Sequence, residues 1–210
     1  MAGPAATASP SPSRVPFVGL TGGLGAGKST ALEALAGLGA ATISTDAVVH
    51  DLYTTPDVRD AVVARWGDDV APGGTVDRSA IARAAFASPE ERAWLEGLLW
   101  PKVAERVAAW REAVARAEPP PTVAVVETAL LFEAGMDRIY DATIAVVADE
   151  DVRRERAAAR GHHAVDERAA RQLSQEEKAA RATYVVANSG TVGELTLELS
   201  RVLENLSTRR

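Results

Sequence analysis

The sequence predicts an α/β fold, a five-stranded parallel sheet flanked by helices, and three observations carry the prediction. A glycine-rich stretch, Gly22-Gly23-Leu24-Gly25-Ala26-Gly27-Lys28-Ser29-Thr30, lies between an apolar run and a segment of helical periodicity. Short apolar runs recur along the chain with helical segments between them, the pattern of repeated strand–helix units. One of these runs, Val123-Ala124-Val125-Val126, is apolar at every position, as a strand covered on both faces must be.

The elements follow in chain order. Val15, Phe17, Val18 and Leu20 form a first strand, and Ala31, Leu32, Ala34, Leu35 and Leu38 follow the glycines at helical spacing. The stretch between them fits G-x-x-x-x-G-K-[ST], the phosphate-binding P-loop, in the strand–loop–helix context that the motif requires. Small residues let successive backbone N–H groups converge on a phosphate, and the positive end of the following helix points at the same place. The expected nucleotide contacts are therefore Gly22, Gly23, Gly25, Ala26, Gly27, Lys28, Ser29 and Thr30. Lys28 is expected to reach the β- and γ-phosphates of ATP, and the Ser29 hydroxyl to ligate Mg²⁺.

Gly37 and Gly39 end the helix, and Ala41-Thr42-Ile43 forms a second strand. Asp46 stands just past its carboxyl end, the edge that faces the ligand crevice in an open parallel sheet. There a carboxylate serves as a general base or holds Mg²⁺ through water; the alternative is that Asp46 caps a helix over 47–53. His50 lies one helical turn on from Asp46. From Thr55 to Glu118 the pattern is helical, with Asp77 as the N-cap of a helix to Phe86, a second helix starting at Ser88-Pro89-Glu90, and Pro101 starting a third, longer one. All of Trp66, Trp94, Trp100 and Trp110 fall in this insertion, as its core or as the wall of an acceptor pocket.

The third strand ends at Glu127, and Leu130-Leu131-Phe132-Glu133 follows. Glu127 reads either as part of a Mg²⁺ shell or as an edge carboxylate, and Glu133 as a solvated or capping one. The fourth strand is 142–147, and the fifth is 184–187. Between them Arg153, Arg154, Arg156 and Arg160 lie on a helix over 149–161, either a lid that neutralises phosphate or a solvated face interleaved with Glu150, Asp151 and Glu155. Further helices are expected over 165–173, 175–182 and 192–206.

Composition narrows the function classes. The net charge of −6 provides no basic field for nucleic acid, and the absence of cysteine excludes disulfides and thiol chemistry. Residues 1–14, rich in Ala, Pro and Ser, lack the apolar core of a secretory signal and read as a disordered leader. No apolar run approaches the roughly 18 residues of a membrane helix, so a cytoplasmic protein is expected. The expected organisation is a core of 15–54, 119–150 and 183–210, a helical acceptor-binding insertion of 55–118, and a lid of 151–182.

In order and spacing these residues resemble the dephospho-CoA kinase family from about Phe17 to about Leu206. The P-loop from Leu20 to Ser29 is similar to the family's. So are Asp46 with His50, Asp77-Arg78, Ser88-Pro89-Glu90-Glu91, Leu130-Leu131-Phe132-Glu133, the lid arginines Arg156 and Arg160, Arg168 with Gln172, Glu176-Glu177-Lys178, and Asn188-Ser189-Gly190. The resemblance implies ATP-dependent phosphorylation of the ribose 3′-hydroxyl of dephospho-CoA with Mg²⁺. Asp46 would be the base, with Lys28, Arg156 and Arg160 neutralising charge. Asn188 would lie at the nucleotide, and His50, Arg78, Leu131, Arg168 and Gln172 at the acceptor, in a monomer or weak homo-oligomer. The chain departs from the family pattern at Ser44, where an Asp is usual, at Trp100 and Ala129, and at Arg153 and Gly161, where a Gln and an Asp are usual. A kinase of another small alcohol, or a nucleotide-binding protein without turnover, are the other readings compatible with the P-loop.

Overall fold

The computed structural model describes residues 15–159 and 172–208. Five strands, β1 (Phe17–Gly22), β2 (Ala41–Ser44), β3 (Ala124–Glu127), β4 (Ala142–Val147) and β5 (Tyr184–Ala187), form one parallel sheet in the order β2-β3-β1-β4-β5. Within β1, β3 and β4 nearly every residue is buried, as their unbroken apolar runs require. From β1 the chain runs to the edge strand β2, returns through β3 beside β1 and then crosses to β4 and β5, so the switch point lies at the carboxyl ends of β1 and β3.

The helices among the described residues are α1 (Lys28–Gly37), α2 (Thr45–Leu52), α3 (Pro56–Trp66), α4 (Arg78–Ala85), α5 (Pro89–Ala115), α6 (Glu150–Ala159), α7 (Gln175–Arg181) and α8 (Val192–Thr208). Leu35 of α1 and Leu195 and Leu199 of α8 pack on Val18, Leu20, Val125 and Ile144 on one face of the sheet. Trp110 and Val114 of α5 cover Phe17, Ala124 and Val126 on the other. The helical segment between β2 and β3 has cores of its own, around Val48, Leu52, Val58 and Leu99 and around Val62, Val70 and Ile81.

Helix starts follow local chemistry. Asp77 caps α4 by accepting from the N–H groups of Ser79 and Ala80, and Ser88 caps α5 through the N–H of Glu91, with Pro89 in the first turn. Pro101 corrects the sequence reading: it starts no helix but lies inside the 27-residue α5. Its ring is exposed, and the residue four positions back, whose carbonyl loses its helical partner, is Gly97, also exposed and with open space around its Cα. Helix α2 starts earlier than expected, which puts Asp46 inside its first turn and excludes it as the cap. Trp66 and Trp94 meet edge to face with ring centroids 5.0 Å apart, and the Trp66 Nε1 donates to Glu91 at 2.7 Å. Those two and Trp110 are packing residues, whereas Trp100 is 55 % exposed. The expected leader, the helix over 165–173 up to Arg171, and Arg160, Gly161 and Arg168 lie outside the described residues.

A buried ion pair fastens α7 to the loop after β3. Lys178 is fully buried, and its Nζ donates to the carbonyl of Ala129 at 2.5 Å and lies 3.1 Å from Glu133 Oε1. The same Glu133 oxygen accepts the N–H of Leu173 at 2.8 Å. Glu133 is thus a tie between segments and not the solvated or capping carboxylate expected. Burial pulls the Lys178 ammonium below its usual range, and Glu133 opposes that shift. Removing one partner leaves the other charge stranded, so Lys178→Ala is expected to cost about 3–5 kcal/mol in chemical denaturation, and the double change Lys178→Met with Glu133→Leu to recover much of that loss.

Candidate functional site

The P-loop leaves the carboxyl end of β1 and runs into α1, and its geometry depends on glycine at two positions. Gly25 and Gly27 have φ of 74° and 89°, the left-handed region that side chains with a Cβ rarely enter. Gly25, Ala26 and Gly27 are buried, and the space a Cβ on Gly27 would fill is held by the Asn188 carboxamide. Lys28 Nζ curls back to donate to the carbonyls of Gly22 at 3.1 Å and Gly23 at 3.3 Å. Ser29 is exposed and Thr30 half-exposed in the first turn of α1, where free N–H groups and the helix dipole favour an anion.

Three side chains from the far side of the sheet brace this loop. Asn188, 4 % exposed at the end of β5, donates through Nδ2 to the carbonyl of Ala26 at 2.8 Å. The Asn188 carbonyl accepts from Arg156 Nη1 at 2.8 Å, and Arg153 Nε donates to the carbonyl of Leu24 at 3.0 Å. Helix α6 therefore lies against the phosphate loop. Arg153 is a contact that the sequence reading missed, although its i,i+3 spacing from Arg156 put the two on one helix face.

Opposite stand the carboxylates. Ser44, Asp46 and Glu127 come from the adjacent ends of β2 and β3, which pair in register Ser44 to Glu127. The Ser44 hydroxyl donates to Glu127 Oε2 at 2.6 Å and makes no capping bond. Glu127 is buried, so burial raises its carboxyl above the usual range, while the Ser44 hydrogen bond and the Lys28 charge pull the other way. It also feels the charge of Asp46, which gathers Lys28, Asp46 and Glu127 at one edge of the sheet. Asp46 itself is exposed.

Beyond Asp46, one turn along α2, a cleft of about 220 Å³ opens between α2, α3 and the turn before α4, lined by His50, Tyr53, Arg59 and Arg78 among others. Arg78 Nη1 stands 3.4 Å from His50 Nδ1, so these two candidates, distant in sequence, converge. Leu131 does not join them: its side chain is fully buried with Phe17, Val126 and Tyr140 and fills the space left by the missing Cβ of Gly19, which makes it a core residue. Gln172 is half-buried, just ahead of α7.

Comparison with known proteins places this geometry. A family model described as dephospho-CoA kinase matches residues 16–194. The chain belongs to the dephospho-CoA kinase family. A dephospho-CoA kinase of Chlorobaculum tepidum is 38% identical over 93% of this chain and 97% of its own. One of Deinococcus radiodurans is 38% identical over 95% and 98%. Among solved structures, TT1252 from Thermus thermophilus superposes with a TM-score of 0.74 at 31% identity over 92% of this chain and 99% of its own. A dephospho-CoA kinase from Campylobacter jejuni, at 21% identity and a TM-score of 0.66, shares the fold. The chain is a phosphotransferase with a nucleotide-binding P-loop.

The donors at the P-loop fit Mg²⁺. Among the described residues no cluster of three or more His, Asp or Glu side chains could hold a metal by itself. That suits an ion that keeps its waters and binds through nucleotide phosphates with one or two protein oxygens, such as the exposed Ser29 hydroxyl beside the P-loop amides.

The raised Glu127 carboxyl has a consequence for stability. As pH rises from about 4.3, the unfolded value for glutamate, the unfolded chain gives up this proton while the folded chain keeps it. The stability present below that pH is therefore lost as pH approaches the folded value. Asp57, held at about 2 by its hydrogen bond to Lys102, works at the other end, losing its contribution only as pH falls. In thermal melts from pH 4 to 8, Glu127→Gln is expected to flatten the decline of wild-type Tm that sets in as pH rises above about 4.3; parallel curves would show that Glu127 titrates like a solvated carboxyl.

Proposed function

We propose that this chain transfers the γ-phosphoryl group of ATP to the ribose 3′-hydroxyl of dephospho-CoA, giving coenzyme A and ADP, the last step of coenzyme A synthesis, in the cytoplasm. The observation that carries the reading is a juxtaposition. A P-loop with its lysine in place stands at the switch point, with Asp46 just past the end of β2, and a cleft lined by His50 and Arg78 begins one helical turn away. A phosphate donor and an anionic, hydroxyl-bearing acceptor can thus be held on either side of one carboxylate.

Phosphoryl transfer asks for alignment and charge neutralisation more than for covalent chemistry. The P-loop amides and Lys28 hold the β- and γ-phosphates of ATP. Asp46 orients the acceptor hydroxyl and accepts its proton as the P–O bond forms. Its exposed position in the first turn of α2 supports that role, because the side chain is not committed to a cap. The Ser29 hydroxyl would help to hold the Mg²⁺ that accompanies ATP, and that ion would supply neutralisation of phosphate charge. Arg78 and His50 hold the anionic part of the acceptor, and Asn188 and Arg156 keep the P-loop in its receptive shape. The lid, 151–182, supplies Arg156 and Arg160 and keeps water from the transferring group.

The test is ADP release from ATP and Mg²⁺ with dephospho-CoA, beside adenosine, gluconate and no acceptor, with Lys28→Ala as the control for a contaminating kinase. Dephospho-CoA-dependent ADP, with coenzyme A as product, is expected. Asp46→Asn is expected to keep ATP affinity within about twofold and to lose roughly 10²–10⁴ in kcat, the range for a general base. Wild-type turnover in that variant would remove Asp46 from the mechanism.

A further inference from the structure

The arginines of α6 are of two kinds. Arg154 is exposed and paired with acids of its own helix, 3.6 Å from Glu150 and 2.6 Å from Asp151. Arg153 and Arg156 are half-buried on the side that meets the P-loop, and their hydrogen bonds go to backbone carbonyls. Among the described residues no carboxylate stands within ion-pair distance of Arg153; the exposed Glu176 of α7 feels its charge only as a minor contribution. Partly withdrawing a guanidinium from water without a counter-charge costs free energy, which an anion bound beside it recovers. The neighbouring loop is built to hold one.

Position along the loop selects which phosphate. Lys28, whose task is the β- and γ-phosphates, reaches the carbonyls of Gly22 and Gly23 and so marks that end of the loop as the terminal-phosphate end. The Arg153 guanidinium lies on the same end: a Cβ on Gly23 would sit 3.1 Å from its Nη2 and 3.3 Å from its Cζ. Arg156 lies at the other end, beside Gly27 and the Asn188 carbonyl. Of the five N–H donors of a guanidinium, Arg153 spends the one on Nε on Leu24.

We propose that Arg153 is a further catalytic residue of this chain, an arginine supplied in cis by α6 to the γ-phosphoryl oxygens of ATP. The proposal rests on the kinase reading above and deepens it. Arg153 neutralises charge as that charge shifts in the transition state and takes no proton.

Arg153→Gln separates charge from bracing, because a carboxamide can still donate to the Leu24 carbonyl. Calorimetry would compare the binding of Mg²⁺-ADP and of a non-hydrolysable Mg²⁺-ATP analogue, and steady-state assays would give kcat and the KM for dephospho-CoA. The expected result is a loss of roughly tenfold in affinity for the analogue, the scale of a hydrogen bond to a charged group, with ADP affinity, Tm and acceptor KM unchanged. In the same variant kcat is expected to fall roughly 10- to 100-fold. Arg154→Gln, the control on the exposed face, is expected to match wild type. Equal loss of ADP and analogue together with a lowered Tm would overturn the proposal in favour of a bracing role, and so would wild-type affinity for the analogue with wild-type kcat. If the wild-type protein released no ADP with dephospho-CoA, the kinase reading would fail, and the binding comparison would still decide Arg153.

Discussion

A backbone that must turn its amides toward one anion has almost no room for side chains, and much of this molecule accommodates that constraint. The loop from Gly22 to Gly27 cannot form a hydrophobic core of its own, so its shape is imposed from outside. β1 anchors it at the sheet's switch point, α1 continues it, Asn188 and Arg153 hold its carbonyls, and Arg156 holds the Asn188 carbonyl in turn. These braces come from α6 and the end of β5, so the P-loop and the arginine-bearing helix share a wall. Contacts that keep the loop open to phosphate are the same ones that bring positive charge to it.

The opposite wall follows a second logic. Parallel strands bring their carboxyl ends to one edge, so Ser44, Asp46 and Glu127 gather there without any local sequence relation. Two carboxylates at the ends of adjacent strands repel each other. With a serine at position 44 the pair becomes a donor and an acceptor at 2.6 Å, and the buried Glu127 gains a partner. At this edge of the sheet the charge stands on β3 and its hydrogen-bond donor on β2.

Local rules made much of this legible in the sequence. The P-loop, the strands and the caps at Asp77 and Ser88 each depend on residues within a few positions of one another. Pro101 misled because a proline reads as a helix start wherever it stands; what decides is whether the lost bond and the ring can face solvent, and that depends on Gly97 and on exposure. Contacts across long sequence intervals were not legible. Ser44 with Glu127, Lys178 with Glu133 and Arg153 with Leu24 join segments that only the sheet order brings together. Leu131, in a motif that suggested the acceptor, proved to be core because Gly19 opened a space for it, a complementarity that neither stretch reveals alone.

The unbroken course of α5 through Pro101 has a mechanical meaning. At 1.5 Å per residue its 27 residues form a strut of about 40 Å. One end is set among Leu95, Leu98 and Leu99 in the helical segment, and the other carries Trp110 and Val114 against the sheet. The cleft beside His50 and the P-loop are thus mounted on a shared beam, and tilting one relative to the other means flexing it. The beam's softest node is the turn where Pro101 omits a rung of the hydrogen-bond ladder and Gly97 offers no side chain to stiffen it.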